Sequence, residues 1–118
     1  MLKLFALLIL AAAVNADHIE VEIRVYCVNP SNPYPTINVH LYEEDVLFDD
    51  HLDSKTVLNS DSLTISGYVQ TSFEFGQLKP YVSIEHNCFG DEKTIKIEPA
   101  FYRSGSNWRA DFVYEIEQ

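Results

Sequence analysis

His18-Ile-Glu-Val-Glu-Ile-Arg-Val-Tyr-Cys-Val28 is the stretch that decides the fold. Ile19, Val21, Ile23, Val25 and Cys27 fall on one face of an extended chain, and His18, Glu20, Glu22, Arg24 and Tyr26 on the other. Alternation with period two and β-branched residues on the apolar face predict a strand buried on one side only. Such a strand needs a second apolar layer to cover it. The rest of the chain supplies it in the same form. Asn29-Pro30-Ser31-Asn32-Pro33-Tyr34-Pro35 reads as a loop, because three prolines cannot donate to a ladder. Residues 36–42 alternate again, with Ile37, Val39 and Leu41 inward.

Further along, residues 54–58 and 62–69 read as short strands around a turn at Asn59-Ser60-Asp61, and Gly67 interrupts the second. Residues 79–88 place Val82, Ile84, His86 and Cys88 on one face. Residues 93–98 and 109–116 are two more strands, with Arg103-Ser104-Gly105-Ser106-Asn107 between them. About seven short strands, with turn signals between them and no helical periodicity after residue 16, predict an all-β antiparallel sandwich.

The first sixteen residues follow a different rule. Lys3 precedes an unbroken apolar run from Leu4 to Val14, and Val14-Asn15-Ala16 ends it with a small residue. Spanning a bilayer takes about 20 apolar residues, so this run is too short. The order of positive charge, apolar run and small residue predicts a secretory signal peptide over residues 1–16, leaving 17–118 as a single domain. No later run approaches membrane length, so the mature chain is expected to be soluble and extracellular. Two cysteines, Cys27 and Cys88, remain. In a secreted chain they predict one disulfide, and both lie on the apolar faces of their strands.

Eighteen acidic residues against eight basic ones give a formal net charge of -10. That balance excludes nucleic acid as an electrostatic partner. Loss of Lys3 with the signal would make the charge more negative by one.

The assembled pattern resembles the nematode transthyretin-like family over nearly all of the mature chain. The resemblance is carried by Arg24-Val25-Tyr26-Cys27, by Val39 to Asp45 (VHLYEED), and by Phe48 to Asp53 (FDDHLD). Ile65-Ser66-Gly67, Pro80 to Cys88 (PYVSIEHNC) and Ile97 to Gly105 (IEPAFYRSG) complete it. The chain departs from the family in lacking a frequent second cysteine pair. It also has Asp61 where a glycine is usual. The resemblance implies a secreted, prealbumin-like sandwich without catalytic activity. Most members have no known activity, and one bridges phosphatidylserine on dying cells to an engulfment receptor. The implied partner is therefore a cell-surface receptor or a phospholipid headgroup, with a small apolar ligand as the second possibility.

Candidate sites are few. Asp45, Asp49, Asp50 and Asp53, with Glu43, could offer hard oxygen ligands to calcium, although no EF-hand loop is present. The plainer reading is a solvated acidic loop. Arg103, Trp108 and Arg109 form the one basic-aromatic group near a predicted loop and are the expected partner-binding residues. Tyr26, Tyr34, Tyr42, Tyr68 and Tyr81 fall on polar faces or in loops, where aromatics favour interfaces. His40 falls on a polar face, His51 in the acidic loop, His86 on an apolar face and His18 near the mature N-terminus. No two of them stand at metal spacing on one strand face, so neither zinc nor any cofactor is expected. A hydrolase reading fails on the motif. Hydroxyisourate hydrolases of this fold end in Tyr-Arg-Gly-Ser, whereas Tyr102-Arg103-Ser104-Gly105 is internal here and differently ordered.

Overall fold

The computed structural model describes residues 16–45, 47–59, 61–70 and 78–118. The predicted signal peptide lies outside the described residues except for Ala16. Eight strands make up the described chain: β1 Ala16–Cys27, β2 Thr36–Glu43, β3 Asp50–Leu58, β4 Asp61–Gln70, β5 Pro80–His86, β6 Lys93–Ile97, β7 Tyr102–Ser104 and β8 Asn107–Ile116. They form two four-stranded sheets, ordered β4-β1-β8-β7 and β3-β2-β5-β6, packed as a sandwich.

Period two places the core. Ile19, Val21, Ile23, Val25 and Cys27 of β1 are buried, as are Ile37, Val39 and Leu41 of β2 and Val82 and Ile84 of β5. Leu63, Ile65 and Val69 of β4 and Ala110 and Ile116 of β8 complete the layer between the sheets. Each large aliphatic side chain removed from water contributes about 1.5–3 kcal/mol. Repetition on two facing sheets is what holds so small a domain together.

The sandwich is not wholly antiparallel. β1 and β8 run parallel, His18 opposite Asn107 through to Cys27 opposite Ile116, while every other pair is antiparallel. The chain leaves β1, visits the other sheet twice, and returns in the same direction. The eighth strand, β7, replaces part of the loop expected at residues 103–107. It pairs Ser104 with Asn107 across Gly105-Ser106. Gly105 has φ +60° and Ser106 is not in the positive region, which suits a hairpin turn with glycine first.

Cys27 and Cys88 are joined, their Cα atoms 5.8 Å apart. The bond ties the end of β1 in the first sheet to Cys88, two residues past the end of β5 of the second. Asn87 and Asn32 organise the loop beside it. The Asn87 side-chain carbonyl accepts from the Thr36 N–H at 2.8 Å, and Asn32 Nδ2 donates to the Asn87 carbonyl at 2.9 Å.

His86 is buried with its ring edge-on to Phe89. Its Nδ1 accepts the Cys88 N–H at 3.3 Å, which requires a lone pair and hence a neutral face there. Burial, and then the Lys93 charge, push its pKa below the ordinary 6.5. The neutral ring is therefore favoured in the folded state. Its contribution is fully present above pH 6.5 and is lost as pH falls through the lower folded value. Urea midpoints of the wild type should drop on acidification through this window, and His86→Gln should flatten that part of the profile. Parallel profiles would remove His86 as the cause.

Candidate functional site

Two regions bring chemistry-bearing residues together. One is the end of the sandwich where β2 leads to β3, β5 begins and β8 begins. The other is the outer face of β3-β2-β5-β6, which continues from that end.

At the end, Leu47 and Phe48 project from the β2–β3 loop with 83% and 81% of their surface exposed. Carboxylates flank them but do not converge. Glu43 is buried at the close of β2, where desolvation raises its pKa against a hydrogen bond from the Lys79 backbone. Asp49 accepts the Tyr81 hydroxyl and, at 3.3 Å, the Asp45 N–H; the Tyr81 bond holds its pKa low. Burial, followed by the Asp49 hydrogen bond, pushes the Tyr81 phenol up to about 12. Asp50 lies on β3 opposite Glu43, and Asp53 accepts the backbone N–H groups of Ser54 at 2.8 Å and Ser66 at 3.0 Å. The carboxylates of Asp49 and Asp53 are thus engaged in tying the loop and sheets together. No group of three or more His, Cys, Asp or Glu side chains among the described residues is arranged to hold a metal ion.

Beside this loop is a surface groove of about 300 Å³ whose walls include Glu44, Lys79, Glu98, Phe101 and Trp108. Trp108 is half-buried, not an exposed anchor. Its indole N–H donates to Asp17 Oδ2 at 3.0 Å, Phe101 meets it edge-on, and the Arg103 guanidinium lies 4.9 Å over its ring. Asp17 is buried and also stands 4.0 Å from Arg103. Arg109 faces the other way and reaches Glu22 at 3.7 Å on the outer surface of the first sheet. The expected basic-aromatic cluster is therefore divided. Alternation along β8 sends Trp108 inward and Arg109 outward, and each arginine has its own carboxylate.

The outer face of the second sheet carries an aromatic stripe. Tyr42 and Tyr81 are opposed across β2 and β5 and stack at 5.3 Å, with Lys96 lying 4.3 Å over the Tyr81 ring. Tyr26 lies elsewhere, its hydroxyl donating to Glu115 at 2.5 Å. Tyr34 and Tyr68 are strongly exposed, as their loop and polar-face positions predict.

His40 and His51 meet on this face, because His51, expected in the acidic loop, lies on β3 beside β2. His40 Nδ1 and His51 Nε2 are 3.1 Å apart, and His40 Nε2 is 2.9 Å from Glu85 Oε1. The cause is a bulge. The β2–β3 register holds from Thr36–Leu58 to Leu41–Asp53, then shifts so that Tyr42 opposes His51. Leu52 is the extra residue and packs inward on the core. His51 is thereby rotated outward beside His40 and Tyr42. Gly67 of β4 permits this, since a Cβ there would sit 2.8 Å from Leu52 Cβ. The signal was present in the sequence as a glycine inside a strand, which marks either a bulge or a close approach.

No curated protein matches the chain. The family model described as transthyretin-like matches residues 21–102, from within β1 to the start of β7. That span is more than half of the chain and contains both cysteines and every strand of the second sheet. The two-sheet sandwich, the disulfide and this match together place the chain in the transthyretin-like family.

Proposed function

We infer that the protein is a secreted, non-enzymatic binding protein that engages a cell surface through the end of the sandwich bearing Leu47 and Phe48. The observation that carries this reading is the adjacent pair of large apolar side chains held in water at a loop tip. Isolated exposed apolar residues are ordinary, but a contiguous pair on a loop whose Glu44 lines a groove supports an interaction site. The residues fit insertion between phospholipid headgroups. Leu47 and Phe48 would enter the interface, with Lys79 and the Trp108 groove beside them. The signal-peptide pattern and the disulfide support secretion.

Charge opposes direct contact with an anionic leaflet, because the chain carries a net -10. A divalent cation would relieve that repulsion. A small-ligand carrier has less support, since the groove walls mix Glu44, Lys79 and Glu98 with the aromatic residues.

Liposome co-sedimentation tests the reading. Oxidised protein should pellet with phosphatidylserine vesicles in the presence of calcium and far less with phosphatidylcholine. The double substitution Leu47→Ser, Phe48→Ser should abolish pelleting without altering the circular dichroism spectrum. No pelleting under any condition would remove the lipid and leave a protein receptor as the partner. Equal pelleting of the double variant would move the contact away from this loop.

A further inference from the structure

We propose that His40 and His51 form a two-histidine binding site for a borderline divalent cation of the zinc type, oriented by Glu85. The first argument is distance. Two nitrogens bound at about 2.0–2.1 Å to a tetrahedral zinc stand ~3.3 Å apart. The observed separation of His40 Nδ1 and His51 Nε2 is 3.1 Å. Opening the pair by a few tenths of an ångström and turning the exposed His51 ring admits the ion. β3 is an edge strand and His51 is exposed on it, with the Tyr42 ring 5.0 Å away as the neighbour against which it turns.

The second argument is orientation. The Glu85 carboxylate accepts the His40 Nε2–H, at 2.9 Å. Of the two neutral tautomers, that contact selects the one with its lone pair on Nδ1, directed toward His51. A carboxylate behind a ligating imidazole is the usual outer support of a histidine metal site. Without an ion the gap is bridged by a hydrogen, with His51 Nε2–H donating to His40 Nδ1. The ion replaces that hydrogen, and His51 takes the tautomer protonated on Nδ1.

The third argument is selectivity. Imidazole nitrogen suits zinc and copper, whereas calcium and magnesium require oxygen ligands. Two protein donors leave the remaining positions to water, so the site is open. The negative field of the chain concentrates cations at its surface. The other histidines have different roles. His18 lies against Tyr68 at 4.7 Å, and His86 is buried.

Isothermal titration of the whole protein with Zn²⁺ is the test. One ion per chain is expected, with no heat from Ca²⁺ or Mg²⁺ at this site. His51→Gln and His40→Gln should each weaken binding by at least about tenfold, and Glu85→Gln by about 10–100-fold, the usual effect of losing a carboxylate behind a ligand. His18→Gln should leave the affinity unchanged. X-ray absorption of the zinc form should show two imidazole nitrogens at ~2.0–2.1 Å. Absence of binding would overturn the proposal. So would binding that survives both His51→Gln and His40→Gln, because the ion would then sit on surface carboxylates. Because His51 is exposed on an edge strand, its substitution tests the site and not the fold.

Discussion

The double substitution Cys27→Ala, Cys88→Ala is expected to lower stability by about 4 kcal/mol, the largest loss from any change considered for this chain. The bridge spans a sequence separation of 61 residues. Opening a loop of that length returns a large conformational entropy to the unfolded chain. The two sulfurs are also buried, Cys88 fully, so their loss leaves a small void between the sheets. A domain of this size has only about 5–15 kcal/mol in hand. Urea denaturation of the oxidised wild type, the reduced wild type and the double variant decides the matter. The reduced and substituted proteins should have similar, much lower midpoints. A double variant within about 1 kcal/mol of the oxidised wild type would show that the aliphatic core alone carries the fold.

The second expected result concerns Gly67. Glycine to alanine within a strand ordinarily stabilises by about 0.4–1 kcal/mol, through the unfolded state. Here the added Cβ would lie 2.8 Å from Leu52 Cβ, closer than carbon atoms pack. Overpacking of that kind costs about 1–3 kcal/mol, so the sign reverses and a net loss of about 1–2 kcal/mol is expected. The consequence reaches the surface. Leu52 cannot stay seated, the bulge in β3 relaxes, and His51 moves away from His40. Thermal denaturation should record the loss, and imidazole NMR signals should record the separation of the pair. Pairing Gly67→Ala with Leu52→Gly removes the contact from the other side. The two changes should therefore be less damaging together than their sum. Strict additivity would show that the contact does not hold the bulge.

Most of the fold was legible in local pattern. Alternation in residues 18–28, 36–42 and 79–88 identified the buried faces of β1, β2 and β5 residue by residue, including His86 and both cysteines. That legibility has a simple origin: a strand covered on one side must alternate. The hairpin at Gly105-Ser106 was also available. A Gly-Ser pair is a recognised two-residue hairpin signal, but the three-residue strand before it is too short for alternation to show. β3 was foreshortened for a related reason. As an edge strand it packs only Leu52 and Val57 among its apolar side chains on the core, and its first four residues resemble the acidic loop that precedes them.

The candidate sites were less legible, because they depend on which strands become neighbours. Arg103, Trp108 and Arg109 look like one cluster along the chain. The sheet divides them, giving Arg103 to Asp17 and Arg109 to Glu22, partners 86 and 87 positions away by number. His40 and His51 look unrelated, and the sheet brings them to 3.1 Å.

By itself the sequence determined the all-β sandwich, its buried residues, the cysteine pair and the family, because each follows from local periodicity or from the order of short segments. Only the tertiary structure decided the parallel pairing of β1 with β8, the separation of the two arginines, and the meeting of His40, His51 and Glu85. Those outcomes rest on register. The one-residue bulge at Leu52, seated against Gly67 of the opposite sheet, turns a neighbouring side chain from one face to the other. Gly67 marks a close approach within its own strand, but no pattern within a single strand says which residue of the opposite sheet meets it.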